Sequence, residues 1–281
     1  MTIHSPVFIV GSERSGTTLL RLMLTSHPSI AVPPEGDFLT RMRVSEPINR
    51  GQWQAFVHAF LSIEKCREWG LSAADLIESA RLMRPQTWPE LAAVPYWTWL
   101  ALNYPMANRW GDKNPCHIHQ LPHLMRMYPT AKFVHIIRDG RDVAASWMNV
   151  PFGPSDATDA AMKWGQAVLA GRLAADRAPG RIYEVHYEML VRDPERSLRA
   201  ICVFLGEDFS SEMLDYAAEN QQRVLVPQHR LLWHSNTLRP PDPGRIGRWR
   251  DVLSPGQICE FEQEAGPLLG MVGYALAEEA A

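Results

Sequence analysis

The chain has 281 residues, a net charge of −3 and a pI near 6.4. That length suits a single domain, residues 1–281, with a full α/β core, and the charge gives no reason to expect nucleic acid or an anionic membrane surface as a partner. No apolar run reaches the roughly 18 residues that a membrane span needs, and the four cysteines (Cys66, Cys116, Cys202, Cys259) lie too far apart for metal-ligand spacing.

Residues 7–10, Val-Phe-Ile-Val, read as a short buried strand. The chain then enters a loop bounded by Gly11 and Gly16, and a helical pattern over 16–26 stops before His27-Pro28. A strand, a Gly-bounded loop and a helix N-terminus make an anion cradle, because backbone N–H groups and the positive end of the helix dipole converge there. The nucleoside triphosphate version of this loop, G-x-x-x-x-G-K-[ST], needs a lysine that reaches the outer phosphates. Thr17 stands in its place, which argues against ATP or GTP as phosphoryl donor; Arg14, inside the loop, supplies a cation instead. Pro33-Pro34 then forces an extended turn that delivers Glu35.

Residues from about 40 to 108 form a helical insertion on the substrate side, with amphipathic helices near 53–66 and 73–84 and an aromatic segment, Trp97 to Tyr104. Six of the ten tryptophans lie between Trp53 and Trp110, in an apolar pocket or simply in core. Short strands are expected at 109–112, 132–137 and 182–186, helices near 139–149 and 194–206, and a long helix over 158–176. Pro240-Pro241-Asp242-Pro243-Gly244 reads as a loop, and a last helix runs from Pro255 to Leu269. Strands alternating with helices predict a mainly parallel central sheet flanked by helices. Arg138 falls at the carboxyl end of its strand, and Ser146 lies eight residues on, two helical turns away on the same side. Ligands of open α/β sheets bind outside the carboxyl ends of strands. Two such ends, each with an arginine and a hydroxyl, suit a nucleotide with phosphate at two separate places.

These motifs resemble the sulfotransferase family, whose donor is 3′-phosphoadenosine 5′-phosphosulfate (PAPS). Arg14-Ser15-Gly16-Thr17-Thr18 is similar to the family's 5′-phosphosulfate loop, and Arg138 with Ser146 to its 3′-phosphate pair. Residues 110–115 and 245–249 resemble two further family segments, the second covering the nucleotide. The subgroup most similar holds protein-tyrosine sulfotransferases and many bacterial small-molecule enzymes, and this chain is read as a bacterial member. The resemblance implies a P-loop-like three-layer α/β fold and in-line transfer of a sulfuryl group from PAPS to a hydroxyl, with no metal. It also implies site roles. Glu35, 21 residues after Arg14, would be the general base; Lys113 would stabilise the transferred group together with Arg14. Tyr187, Ser235 and Arg248 would approach the nucleotide or sulfuryl group, with Arg245 the lesser alternative to Arg248. Val150 stands where the subgroup carries another arginine.

Other readings stay open beside these. His117 or His119 is a second candidate base, each more readily read as structural. The lesser alternative for Lys113 is a surface ion pair with Asp112, and Arg141 reads as a solvated helix charge rather than a ligand. An ATP-dependent kinase and a catalytically inactive nucleotide-binding partner protein are the alternative functions. The N-terminus lacks a basic region followed by an apolar one, so the expected location is cytoplasmic with reduced thiols. The acceptor is left open among peptide tyrosine, lipid alcohol and natural product, as is a homodimer.

Overall fold

The structure, a computed structural model, describes residues 5–43, 46, 48–148, 150, 153–223, 225–226 and 235–277, the side chains of 235 and 236 excepted. Five parallel strands form one sheet in the order β2-β3-β1-β4-β5. They are β1 (Val7–Gly11), β2 (Ile30–Ala31), β3 (Arg109–Lys113), β4 (Lys132–Ile137) and β5 (Ile182–His186). Successive side chains of a strand point to opposite faces, and β1 shows why both faces are covered. Phe8 and Val10 enter one apolar cluster with Phe133 and the aromatic residues of the insertion. Val7 and Ile9 enter another with α1 (Thr17–Thr25), Val134 and Ile136. The result is a P-loop-like three-layer α/β fold, as the strand–helix alternation predicts.

The chain crosses from β1 to β2 and β3 on one side, then returns to place β4 on the other side of β1. The crevice of such a sheet opens at this reversal, outside the strands' carboxyl ends. Gly11 pairs with Ile136 in the β1–β4 register, and Ile9 with Lys113 in the β1–β3 register. The ends of β1, β3 and β4 therefore reach the same edge and carry the Gly11–Gly16 loop, Lys113 and Arg138.

The insertion departs from expectation in two places. The helix expected over 53–66 is split into α2 (Arg50–Ser62) and α3 (Glu64–Arg67) by Ile63, whose backbone is extended (φ −78°, ψ 122°). After α4 (Ala73–Met83), the aromatic segment is the second half of α5 (Trp88–Asn103), which begins nine residues before Trp97 and contains Pro95. A helix α6 (Leu121–Met127) precedes β4. Of the later helices, α7 (Gly140–Trp147), α8 (Ala157–Arg177), α10 (Pro194–Leu205) and a C-terminal helix, Pro255–Met271, follow the reading closely, while α9 (Tyr187–Arg192) and α11 (Tyr216–Arg223) were not expected. Arg141 is not a solvated charge. It is buried, pairs with Asp139 (2.8 Å) and Glu262 (2.6 Å), and stacks on Trp249 with 4.0 Å from guanidinium carbon to ring centroid.

Candidate active site

The loop after β1 is shaped by two close approaches. Gly11 and Gly16 have positive φ, 152° and 99°. A Cβ on Gly11 would lie 2.4 Å from the Ile136 carbonyl oxygen, and one on Gly16 would lie 2.5 Å from the Tyr187 ring. Only glycine lets the loop lie flush against β4 and α9. Between them Arg14 takes a left-handed conformation, φ 65°, which costs a side-chain-bearing residue about 1–2 kcal/mol. Several other helices carry side-chain caps: Asn49, Ser72, Asp156 and Ser254 each accept from a first-turn N–H. The helix α1 does not. Gly16 offers no side chain, and the first turn holds no acidic residue. The amides at this N-terminus are left for an anion from outside the chain.

A cleft over that terminus is lined by Arg14, Thr17, Thr18, Arg138, Ser146 and Tyr187, and also by Arg239 and Arg245. The two phosphate motifs meet directly, since Arg14 Nε donates to Ser146 Oγ at 3.0 Å. Burial, and then the like charge of Arg138, lowers the pKa of the Arg14 guanidinium from its usual value. An anion bound beside it would offset both, because an opposite charge favours the charged form. Arg138 donates to the carbonyls of Arg14 (3.3 Å) and Arg245 (3.0 Å), lies 3.5 Å from Asp142, and sits over the Tyr187 ring at 4.4 Å. Its Nε and the Oγ of fully buried Ser15 have no hydrogen-bond partner among the described residues. Buried polar groups are seldom left unpaired, and when they are they call for an explanation. Arg138 lines the cleft, so an anion entering it would meet that open Nε; Ser15 does not line the cleft.

A second group of side chains lies at the end of β3. Lys113 is 4% exposed; it pairs with Glu35 Oε1, and its Nζ donates to Thr18 Oγ1 at 3.2 Å. The candidate base, the candidate sulfuryl-stabilising cation and the phosphate cradle are thus one connected chain. Lys113 does not pair with Asp112, which faces the other way. Its Oδ1 lies 2.7 Å from His117 Nδ1, and its Oδ2 accepts from the Tyr96 hydroxyl at 2.7 Å. Burial first, then the Asp112 charge, pushes the Tyr96 phenol well up, so it stays a donor. His117 is fully buried in this network, as a structural histidine would be. His119 is exposed and borders a separate hollow with Cys116, Trp147 and the loop residues Ser12 and Glu13.

The remaining candidates divide. Tyr187 begins α9, beneath Arg138 and against Gly16. Arg248 is exposed and does not line the cleft; Arg245 does, three residues earlier. The cause is Asp142. It accepts from the N–H groups of Gly247 (2.8 Å) and Trp249 (2.9 Å), pinning this segment to α7 with Arg245 on the cleft side. Ser235 begins a short 3₁₀ turn, Ser235–Leu238, and its side chain lies outside the described residues. The sequence reading missed Arg239, which precedes Pro240-Pro241 and whose carbonyl accepts from the Tyr216 hydroxyl at 2.6 Å. It also missed Lys65, 3.4 Å from Glu35 Oε2. With Arg245, Arg239 brings cations to the cleft that Val150 cannot.

Comparison with known proteins fits this geometry. The curated relatives include a putative protein-tyrosine sulfotransferase of Caenorhabditis briggsae, 27% identical over 95% of this chain and 88% of its own. Protein-tyrosine sulfotransferase 2 of Gallus gallus is 25% identical over 95% of this chain and 69% of its own. Among solved structures, the sulfotransferase domain of the Synechococcus PCC 7002 olefin synthase shares the fold with a TM-score of 0.62 at 24% identity, covering 94% of this chain and 95% of its own. The sulfotransferase domain of the curacin biosynthetic pathway shares it at 0.64 and 20%, covering 98% and 100%. The model of the sulfotransferase family matches residues 6–211, from the strand before the cradle to beyond α10, and the chain belongs to that family.

Proposed function

We propose that the protein transfers a sulfuryl group from PAPS to a hydroxyl acceptor. The observation that carries this reading is the connected chain Glu35–Lys113–Thr18, which ties a carboxylate to the anion cradle through one buried lysine. The cradle fits the donor's 5′ end: uncapped amides of α1, Arg14 and the Ser15–Thr18 hydroxyls. Arg138 with its open Nε, Ser146 and Arg245 fit the 3′-phosphate. When bound, the donor supplies an activated sulfur whose bond to the 5′-phosphate oxygen is the one that breaks. Glu35 takes the acceptor's O–H proton as the new S–O bond forms. Lys113 turns from Glu35 to the oxygen that carries the departing charge, and Arg14 stabilises the same charge from the loop side. The products are a sulfate ester and 3′-phosphoadenosine 5′-phosphate. The acceptor is a small molecule or a peptide, and four unpaired cysteines support a cytoplasmic location. Among the described residues, no helix is long and apolar enough to cross a membrane.

Ligand binding to the native state stabilises it by mass action. 3′-Phosphoadenosine 5′-phosphate is therefore expected to raise the melting temperature well above the shift given by equimolar adenosine 5′-phosphosulfate, which lacks the 3′-phosphate. Equal shifts remove the basis for the 3′-phosphate assignment. The acceptor is found by incubating the protein with ³⁵S-labelled PAPS and a metabolite extract and identifying the labelled product by mass spectrometry. A sulfate ester is the expected product; label appearing only as inorganic sulfate counts against a hydroxyl acceptor.

A further inference from the structure

Glu35 is held by two lysines from different parts of the chain. Lys113, at the end of β3, pairs with Oε1. Lys65, from α3 in the helical insertion, lies 3.4 Å from Oε2. The same Lys65 Nζ lies 3.0 Å from Asp37 Oδ2. Asp37 is fixed in turn by Asn114, whose Nδ2 donates to it at 2.7 Å, and by Arg41 at 3.2 Å. Lys65 thus bridges two carboxylates that stand two residues apart on one short segment, and it ties the insertion to the candidate base. The extended backbone at Ile63 ends α2 and sets Lys65 on a separate turn facing this segment. An ion pair this exposed (the Lys65 side chain is 37% accessible) is worth little to stability. Its significance lies in what it holds.

The inference rests on the reading of Glu35 as the base of a sulfotransferase. We propose that Lys65 is a positioning residue: it grips Oε2 of Glu35, so that Oε1 faces the acceptor proton and the carboxylate stays ionised when Lys113 turns to the transferred group. The physical need follows from charge. Donor binding brings several negative charges to the cradle and draws Lys113 toward them. Losing the Lys65 charge as well leaves less positive charge to offset the anionic donor, which favours the protonated form of Glu35 and weakens the base. The neighbouring groups described here do not replace that cation. Asp37 is negative, and Arg41 is spent on Asp37. Thr18 is neutral. The Cys116 thiol is pushed up to about 11 by burial first and by Asp37 and Asp112 next, so it too is neutral near pH 7.

The sign of the effect is fixed. A neighbouring cation lowers the pH at which a carboxylate ionises, so removing Lys65 moves the Glu35 titration to higher pH. The test follows the Glu35 carboxyl carbon by NMR in the full chain saturated with 3′-phosphoadenosine 5′-phosphate, the signal being the one lost in Glu35→Gln. Lys65→Met is expected to move the titration to higher pH, and Lys65→Arg to restore it. With the acceptor found by labelling, Lys65→Met is expected to lower kcat by roughly 10–100-fold at neutral pH while the KM for PAPS stays within about twofold, because the base and not the donor is displaced. The acid limb of its pH–rate profile should move upward as well. A Lys65→Met protein in which Glu35 titrates as in the parent overturns the inference; Lys65→Gln serves the same purpose if the Met variant does not fold. Failure of the underlying reading looks different. In that case Glu35→Gln itself turns over normally, whatever the Lys65 variants do.

Discussion

Glu35→Gln is expected to lower kcat for sulfuryl transfer by about 10²–10⁴-fold, the usual cost of losing a general base, with the affinity for PAPS within about twofold of the parent. Glutamine keeps the shape, and its single Oε1 can still accept from one of the two lysines, Lys113 and Lys65, that hold Glu35 from either side. What it lacks is the ability to take a proton. Donor recognition should survive, because Arg14, Arg138 and the α1 N-terminus do not depend on the carboxylate. A melting curve and a PAPS binding isotherm run beside the kinetics separate lost chemistry from lost structure. The histidine segment gives the contrast. His117→Ala should destabilise the fold, since it strips a partner from buried Asp112. His119→Ala should do little to either property, because its side chain borders a different hollow. Near-full turnover in Glu35→Gln with none in His119→Ala would assign the base to the histidine segment instead.

The cradle and Arg138 were legible because short apolar runs bounded by Gly11, Gly16 and the Arg138-Asp139 step carry their own punctuation. Strand β2 was not, because two residues are too few for an alternating pattern. Helix α5 was hidden for the opposite reason. Residues 91–96 and 98–100 are all buried, so the helix shows no polar face to mark a period, and Pro95 suggests a break. Roles for Glu35 and Lys113 in one site came from family resemblance, but their direct pairing was not foreseen, because no spacing brings residues 78 positions apart together. Arg245 rather than Arg248 lines the cleft because the register of this segment is set by Asp142, more than 100 residues away, which no local motif reveals. Lys65 carried one faint signal. The chain has only four lysines, and two of them flank Glu35. In a sequence that otherwise uses arginine, a lysine at such a place merits notice.

Arg138→Ala is expected to weaken donor binding by about 10–150-fold, which is what the loss of one charge-assisted contact of about 1.5–3 kcal/mol amounts to. Turnover should recover in part at saturating PAPS, so KM rises more than kcat falls. The guanidinium does more than meet a phosphate. It joins the Arg14 carbonyl of the loop to the Arg245 carbonyl of the covering segment, and it rests on the Tyr187 ring. Its loss therefore loosens both walls of the cleft, and a raised KM alone would not show that the 3′-phosphate is what it reads. Ligand discrimination does. In the parent, 3′-phosphoadenosine 5′-phosphate should bind far more tightly than adenosine 5′-phosphosulfate. In Arg138→Ala the two affinities should converge, because only the first loses a contact that the second never made. Lys at this position should restore part of the gap, since it brings charge without the two-pronged geometry that reaches both carbonyls. If Arg138→Ala weakens both nucleotides equally and the gap persists, Arg138 only braces the cleft, and the 3′-phosphate is read by Arg245 or Arg239.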